Sequence, residues 1–136
     1  MALCIIVIKR SHVSRVAVVM NLIQSDGQYV SPSGSHTVKV GIQNQLVRFE
    51  IFGTQENALG RSEAGSLYQR WYLCWDSMDR LWVHSSDLGD FVWAANANGD
   101  FTCNALVKES SLLVEMPDVF RHELPQSVRH ALGIAE

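Results

Sequence analysis

Between Arg70 and Val107 four short runs of aromatic and β-branched residues alternate with three polar breaks. The runs are RWYLCW (70–75), RLWVHS (80–85), FVWAA (91–95) and FTCNALV (101–107); DSMD, SDLGD and NANGD stand between them. Trp, Tyr, Phe and Val suit a pleated, half-buried surface, whereas Gly, Asn, Asp and Ser suit tight corners. The pattern predicts four strands, each reversing on the last: an antiparallel meander.

Turns over 76–79, 85–90 and 96–99 would set Leu73 against Trp82, Trp82 against Trp93, and Trp93 against Thr102. That register gathers Trp71, Trp75, Trp82, His84, Phe91 and Trp93 on one face, with all four tryptophans of the chain together. Tyr72, Cys74, Leu81, Val83, Val92, Phe101 and Cys103 occupy the other face as ordinary core. Cys74 and Cys103 would then lie on the first and fourth strands, about 14 Å apart at the usual strand spacing. A disulfide needs Cα atoms within about 7 Å.

Upstream, His36–Phe52 reads as a hairpin with its turn at Asn44-Gln45. Ile42 then opposes Val47, Val40 opposes Phe49 and Val38 opposes Ile51, while Lys39 meets Glu50 on the wet face. Each such pair contributes about 0.2–1 kcal/mol, and a one-residue slip would expose the whole apolar set. Gln24–Ser35 is turn-rich and reads as a connector. Residues 53–66 (GTQENALGRSEAGS) are polar with three glycines and read as a long loop, with one helical turn at Glu56–Leu59.

The period changes after Pro117. Val119, Phe120, Leu124, Val128, Ala131 and Leu132 fall mostly at three- and four-residue spacings, an amphipathic stripe. Pro125 inside one helix would cost about 3 kcal/mol, so residues 117–133 are expected as two short helices ending at Gly133.

In residues 1–23, MALCIIVI and VAVVMNLI are apolar, but KRSHVSR divides them. Neither run reaches the roughly 20 residues of a spanning helix. Two strands joined by a basic loop is the preferred reading; a weak export signal is the alternative, and no small-residue cleavage pattern follows. The remainder divides into a β core over 24–115 and the C-terminal helices, all within one domain of 136 residues.

Composition narrows the class of function. Hydrophobic content of 47% with 18% charge suits a folded globular chain. The net charge of −3 and the scattered basic residues argue against a nucleic-acid or anionic-membrane surface. Three cysteines without a C-x-x-C pair favour buried thiols over a disulfide scaffold or zinc site. A reducing, cytoplasmic setting suits them, although compartment is not fixed by so few residues.

Chemistry-bearing patterns are few. His84 near Asp87 and Asp90 fits a hydrogen-bonded turn partner; a general base oriented by Asp is the sharper alternative. Asn96–Asp100 has the look of a calcium loop without its remaining ligands or terminal Glu, so a hairpin turn is expected there. His122 and His130 read as exposed helix residues. No GxGxxG, P-loop, H-E-x-x-H or G-x-S-x-G occurs, and no cofactor or metal is implied.

Residues 76–89 (DSMDRLWVHSSDLG) resemble the D-x-x-G-x-L-W-V-x-T hairpin of sensor-type β-propeller blades, though without the glycine before the strand. The resemblance spans fourteen residues with no second copy at a blade period. It implies shared hairpin chemistry and not a propeller.

The expected fold is therefore α+β and mainly β, with seven or eight strands in a curled antiparallel sheet or small barrel and a C-terminal helix pair. The aromatic face is either core, beneath the helices or inside a barrel, or an open patch. Functionally the expectation is a non-catalytic binding module. It would use the Trp-rich face or a barrel interior for a small apolar ligand or a protein partner. Two alternatives stand beside it: a structural or oligomerising protein with that face or an edge strand as interface, and an enzyme centred on His84.

Overall fold

The computed structural model describes residues 5–8, 15–18 and 21–134. An N-terminal antiparallel pair, β1 (Ile5–Ile8) and β2 (Arg15–Val18), sets Ile5 opposite Val18 and Ile8 opposite Arg15. This is the strand pair expected there; its basic connection and Cys4 lie outside the described residues.

Two four-stranded meanders follow. The first runs β3 (Gly27–Val30), β4 (Thr37–Gln43), β5 (Leu46–Phe52) and β6 (Ala58–Ser66), in that order across the sheet. The second runs β7 (Trp71–Trp75), β8 (Leu81–Ser85), β9 (Gly89–Ala95) and β10 (Phe101–Ala105). Every pairing is antiparallel, and each sheet stays open rather than closing into a barrel. The chain is α+β and mainly β, as expected.

The β4–β5 hairpin has the register expected from a turn at Asn44-Gln45: Val38 with Ile51, Val40 with Phe49, Ile42 with Val47 and Lys39 with Glu50. Both turn residues, Asn44 (φ 53°) and Gln45 (φ 66°), are left-handed. That is the two-residue loop whose twist matches its flanking strands.

Two strands arise where none was expected. β3 lies inside the Gln24–Ser35 connector, and β6 replaces the loop and helical turn expected over 53–66. β6 has weak strand propensity, yet it pairs along β5 with two register shifts. Its charges explain the register: Arg61 opposes Glu50 and Glu63 opposes Arg48, at 3.4 and 3.8 Å.

The register of the second meander corrects the expectation. Trp75 pairs with Leu81, Leu73 with Val83 and Cys74 with Trp82; Trp93 then pairs with Leu81 and with Cys103. Each hairpin has a three-residue loop, not one of four or six. In the first, the Asp76 and Asp79 N–H groups donate to the Arg80 and Asp76 carbonyls respectively, and Asp79 sits at φ 58°. The third repeats this with Asn96, Asp100 and Gly99 at φ 89°. An odd loop count reverses which residues share a face, so β8 and β10 turn over relative to the expected arrangement while β7 and β9 keep it. Cys74 and Cys103 consequently lie on opposite faces, and Cys103 is exposed rather than buried.

The β7–β8 half of the second sheet is covered on both sides. On one face Trp71, Leu73, Trp75, Leu81, Val83 and Phe101 pack against Val38, Val40, Val47, Phe49 and Ile51 of the first sheet. On the other, Tyr72, Cys74, Trp82 and Val92 pack against Leu106, Met116, Phe120, Leu124 and Leu132. Leu106 directly follows β10, Met116 follows a 3₁₀ turn (Ser111–Glu115), Phe120 lies in helix α1 (Asp118–Glu123) with Leu124 at its end, and Leu132 lies in helix α2 (Gln126–Leu132). Pro125 separates the helices and Gly133, at φ 72°, caps the second, as the sequence predicts. At the free side of β7, Ile23 and Leu73 exchange backbone hydrogen bonds of 2.8 and 3.0 Å.

Candidate functional site

The six residues expected to form a binding face do not form one. Trp71, Trp75, Phe91 and Trp93 share the face turned toward the first sheet, with Trp71 7% and Trp75 2% exposed. Phe49 meets Trp93 edge-on at 5.6 Å, and the Trp75 indole N–H donates to the Tyr29 carbonyl at 3.1 Å. Trp82 and His84 point to the helical side, 0% and 1% exposed. The Trp82 indole N–H donates to Asp76 Oδ2 at 2.8 Å. Burial is what indoles ordinarily seek, and here the core accounts for it.

His84 is built into the β8–β9 pair. Its Nδ1 lies 2.6 Å from Asp90 Oδ1, directly across the two strands, and its Nε2 lies 3.4 Å from Ser86 Oγ. Asp87, the other expected partner, instead accepts the Ser66 backbone N–H at 3.1 Å. The His84 ring lies tilted against Tyr72, centroids 4.9 Å apart, and the Tyr72 hydroxyl donates to the Phe120 carbonyl at 3.0 Å. Burial, and after it the Asp90 carboxylate, push the Tyr72 pKa well above the ordinary tyrosine range, so this hydroxyl stays a neutral donor. A line of Asp90, His84 and Ser86 has the order of a hydrolytic relay. Of the three, His84 is buried against Tyr72, Asp90 is half-buried and Ser86 is exposed, and the Ser86 contact is long at 3.4 Å.

A cleft that the sequence does not announce lies at the C-terminal helices. After β10 the chain turns at Val107, whose N–H donates to Ser110 Oγ at 2.9 Å, and enters the 3₁₀ turn. Between that segment and the helices is a cavity of about 810 Å³. Leu113, Val114, Leu132 and Ile134 give it an apolar wall, and Val114 is 83% exposed. Lys108, Arg121 and Arg129 line it as well. Arg121 Nη1 donates to Asp118 Oδ1 at 2.9 Å. The Nε groups of Arg121 and Arg129 are buried without a hydrogen-bond partner. Leaving such a donor unsatisfied costs about 1–3 kcal/mol, more when charged. An added Cβ at Gly133 would sit 3.3 Å from Lys108 Cε, so the absence of a side chain there lets Lys108 lie against the end of α2.

A second hollow, of about 590 Å³, lies on the outer face of the first sheet among Lys39, Arg48, Glu50, Arg61 and Glu63. There the acidic and basic groups answer one another, through Arg48–Glu63 and Arg61–Glu50. Among the described residues no group of three His, Cys, Asp or Glu side chains gathers to hold a metal, and no helix is long and apolar enough to cross a membrane. No family model, no curated protein and no solved structure matches this chain.

Proposed function

We propose that this chain is a non-catalytic binding module whose small-ligand site is the cleft at its C-terminal helices, not the tryptophan face. One observation carries the reading. Trp71, Trp75 and Trp82 are buried and Trp93 is half-buried against Phe49, whereas Leu113, Val114 and Ile134 leave an apolar wall open to solvent beside a cavity of ligand size.

The test is a titration with the neutral probe N-phenyl-1-naphthylamine, followed by its fluorescence. Saturable enhancement at one probe per chain is expected, weakened at least tenfold in Val114→Asp. A flat response in the unaltered protein, or an identical titration in the variant, removes the reading.

A second reading, self-association, is favoured by β10. It is a terminal strand of its sheet, exposed from Thr102 to Ala105, and no charged residue occurs from Phe101 to Val107. Strand edges of that kind invite pairing unless charge or proline blunts them. Light scattering across a concentration series tests it: a dimer lost in Thr102→Lys supports this reading, and a monomer throughout ends it.

A further inference from the structure

We infer that the ligand of the C-terminal cleft carries an oxyanion head on an apolar body, and that Arg121 and Arg129 receive the head. The inference rests on the cleft being a binding site and adds the chemical class of what it binds.

The acids on the helical side of the cleft are already committed, and Glu109, between Lys108 and Ser110, is exposed and does not line it. Glu115 pairs with Arg80, Glu123 with Arg70, and Asp118 with Arg121. Among the described residues no carboxylate pairs with Lys108 or Arg129. The lining therefore holds two positive charges in excess, counting histidine as neutral, within a chain of net charge −3. A local sign opposite to the global one focuses anions on the cleft.

Charge alone would describe any solvated basic patch; the guanidinium Nε groups add a second, independent argument. Both are buried with no acceptor, on two different helices that line one cavity. A guanidinium cannot shed its proton to escape that burden and has no acceptor of its own. Oxygen atoms bearing negative charge satisfy it best, because charge-assisted bonds are the shorter and stronger kind. The apolar wall of Leu113, Val114, Leu132 and Ile134 would cover a hydrocarbon portion of the same molecule.

Isothermal titration of the full chain with octanoate, octyl phosphate, 1-octanol and inorganic phosphate tests this, the amphiphiles being kept below their aggregation concentrations. Octanoate or octyl phosphate is expected to bind at least tenfold more tightly than both octanol and inorganic phosphate; whichever is tighter names the head as carboxylate or phosphate. Arg129→Gln and Arg121→Gln should each weaken that anion at least tenfold and leave octanol unchanged. Octanol binding as tightly as the anions overturns the oxyanion head while the cleft reading survives. Inorganic phosphate binding as tightly as octyl phosphate overturns the apolar body. Silence from all four compounds removes both inferences. The comparison among ligands on the unaltered protein decides the matter even where a variant fails to fold.

Discussion

Asp79 holds the Nδ1–H of His36 at 2.8 Å, joining the tip of the β7–β8 hairpin to the loop that precedes β4 in the other sheet. The same carboxylate accepts the hydroxyls of Ser31 and Ser33, at 2.8 and 2.5 Å, and the Ser33 backbone N–H at 3.2 Å. Asp79 occupies the left-handed position where glycine would be easiest, at φ 58°. A side chain is kept there at a conformational cost because it ties two sheets together.

This tie makes stability depend on acid. Burial raises the Asp79 pKa, but hydrogen bonds from Ser33, His36 and Ser31 outweigh it and hold the carboxyl below its ordinary value. A depressed folded pKa contributes stability that is complete above the unfolded value, about 3.9 for Asp. That contribution disappears as pH falls through the folded value. Unfolding free energies of the unaltered protein and Asp79→Asn from urea denaturation should differ by about 1–3 kcal/mol at pH 7, the worth of lost charged hydrogen bonds. The gap should narrow below about pH 4. A gap independent of pH would show that the charge on Asp79 is not what stabilises the tie.

Asp76 is the more deeply buried acid, 4% exposed, and should be the more costly to lose. Its Oδ1 accepts the Met78 and Arg80 backbone N–H groups, and its Oδ2 accepts Arg80 Nε at 2.7 Å and the Trp82 indole N–H at 2.8 Å. Asp76→Ala strands the Trp82 indole N–H beneath the helix layer and leaves the Arg80 guanidinium with Glu115 as its one remaining carboxylate. The expected loss is about 3–5 kcal/mol, the usual result of breaking one side of a buried ion pair. Chemical denaturation measures it, and a loss under 1 kcal/mol would mean that water replaces the carboxylate.

These two aspartates also explain what could be read along the chain. The β4–β5 hairpin was legible because its two faces carry independent signals, apolar pairs on one and Lys39–Glu50 on the other, which agree on a single register. The meander was legible as strands but not as faces. Whether Trp82 looks toward the sheet or the helices depends on one residue of loop length, and Asp79 hides the glycine that would have marked the three-residue loop. β6 looked like a loop because Gly60, Gly65 and its polar residues suppress strand propensity; opposing Arg61 to Glu50 and Glu63 to Arg48 would have revealed it. The helix pair was legible from Pro125 and Gly133. The cleft was not, since Lys108, Arg121 and Arg129 meet only after the helices dock on Tyr72 and Trp82, and no local pattern encodes that meeting.

His84→Ala should act on stability alone. It removes a buried ring and leaves Asp90, 11% exposed, without its 2.6 Å partner. A loss of about 2–4 kcal/mol is expected from cavity and unpaired-acid effects together. Ligand affinity at the C-terminal cleft, titrated where the variant is folded, should change less than twofold. A large affinity change with little loss of stability would instead place His84 in the functional site.

Gly65 is the glycine whose replacement should hurt most. It sits at φ +94°, and an added Cβ would lie 2.8 Å from Ser85 Oγ and 2.9 Å from Asp87 Cβ. Those groups cannot retreat freely: Ser85 Oγ caps the β8–β9 turn by accepting the Asp87 and Leu88 N–H groups, and Asp87 holds the Ser66 N–H. Gly65→Ala therefore combines backbone strain with displacement of the contact between β6 and the β8–β9 turn, at about 2–3 kcal/mol. Gly41→Ala is the control, since a Cβ there meets nothing within 4 Å and its φ is ordinary. It should stay within about 0.5 kcal/mol of the unaltered protein. Equal thermal shifts for the two variants would contradict the close approach of β6 to the second sheet, on which the packing of the tryptophan core depends.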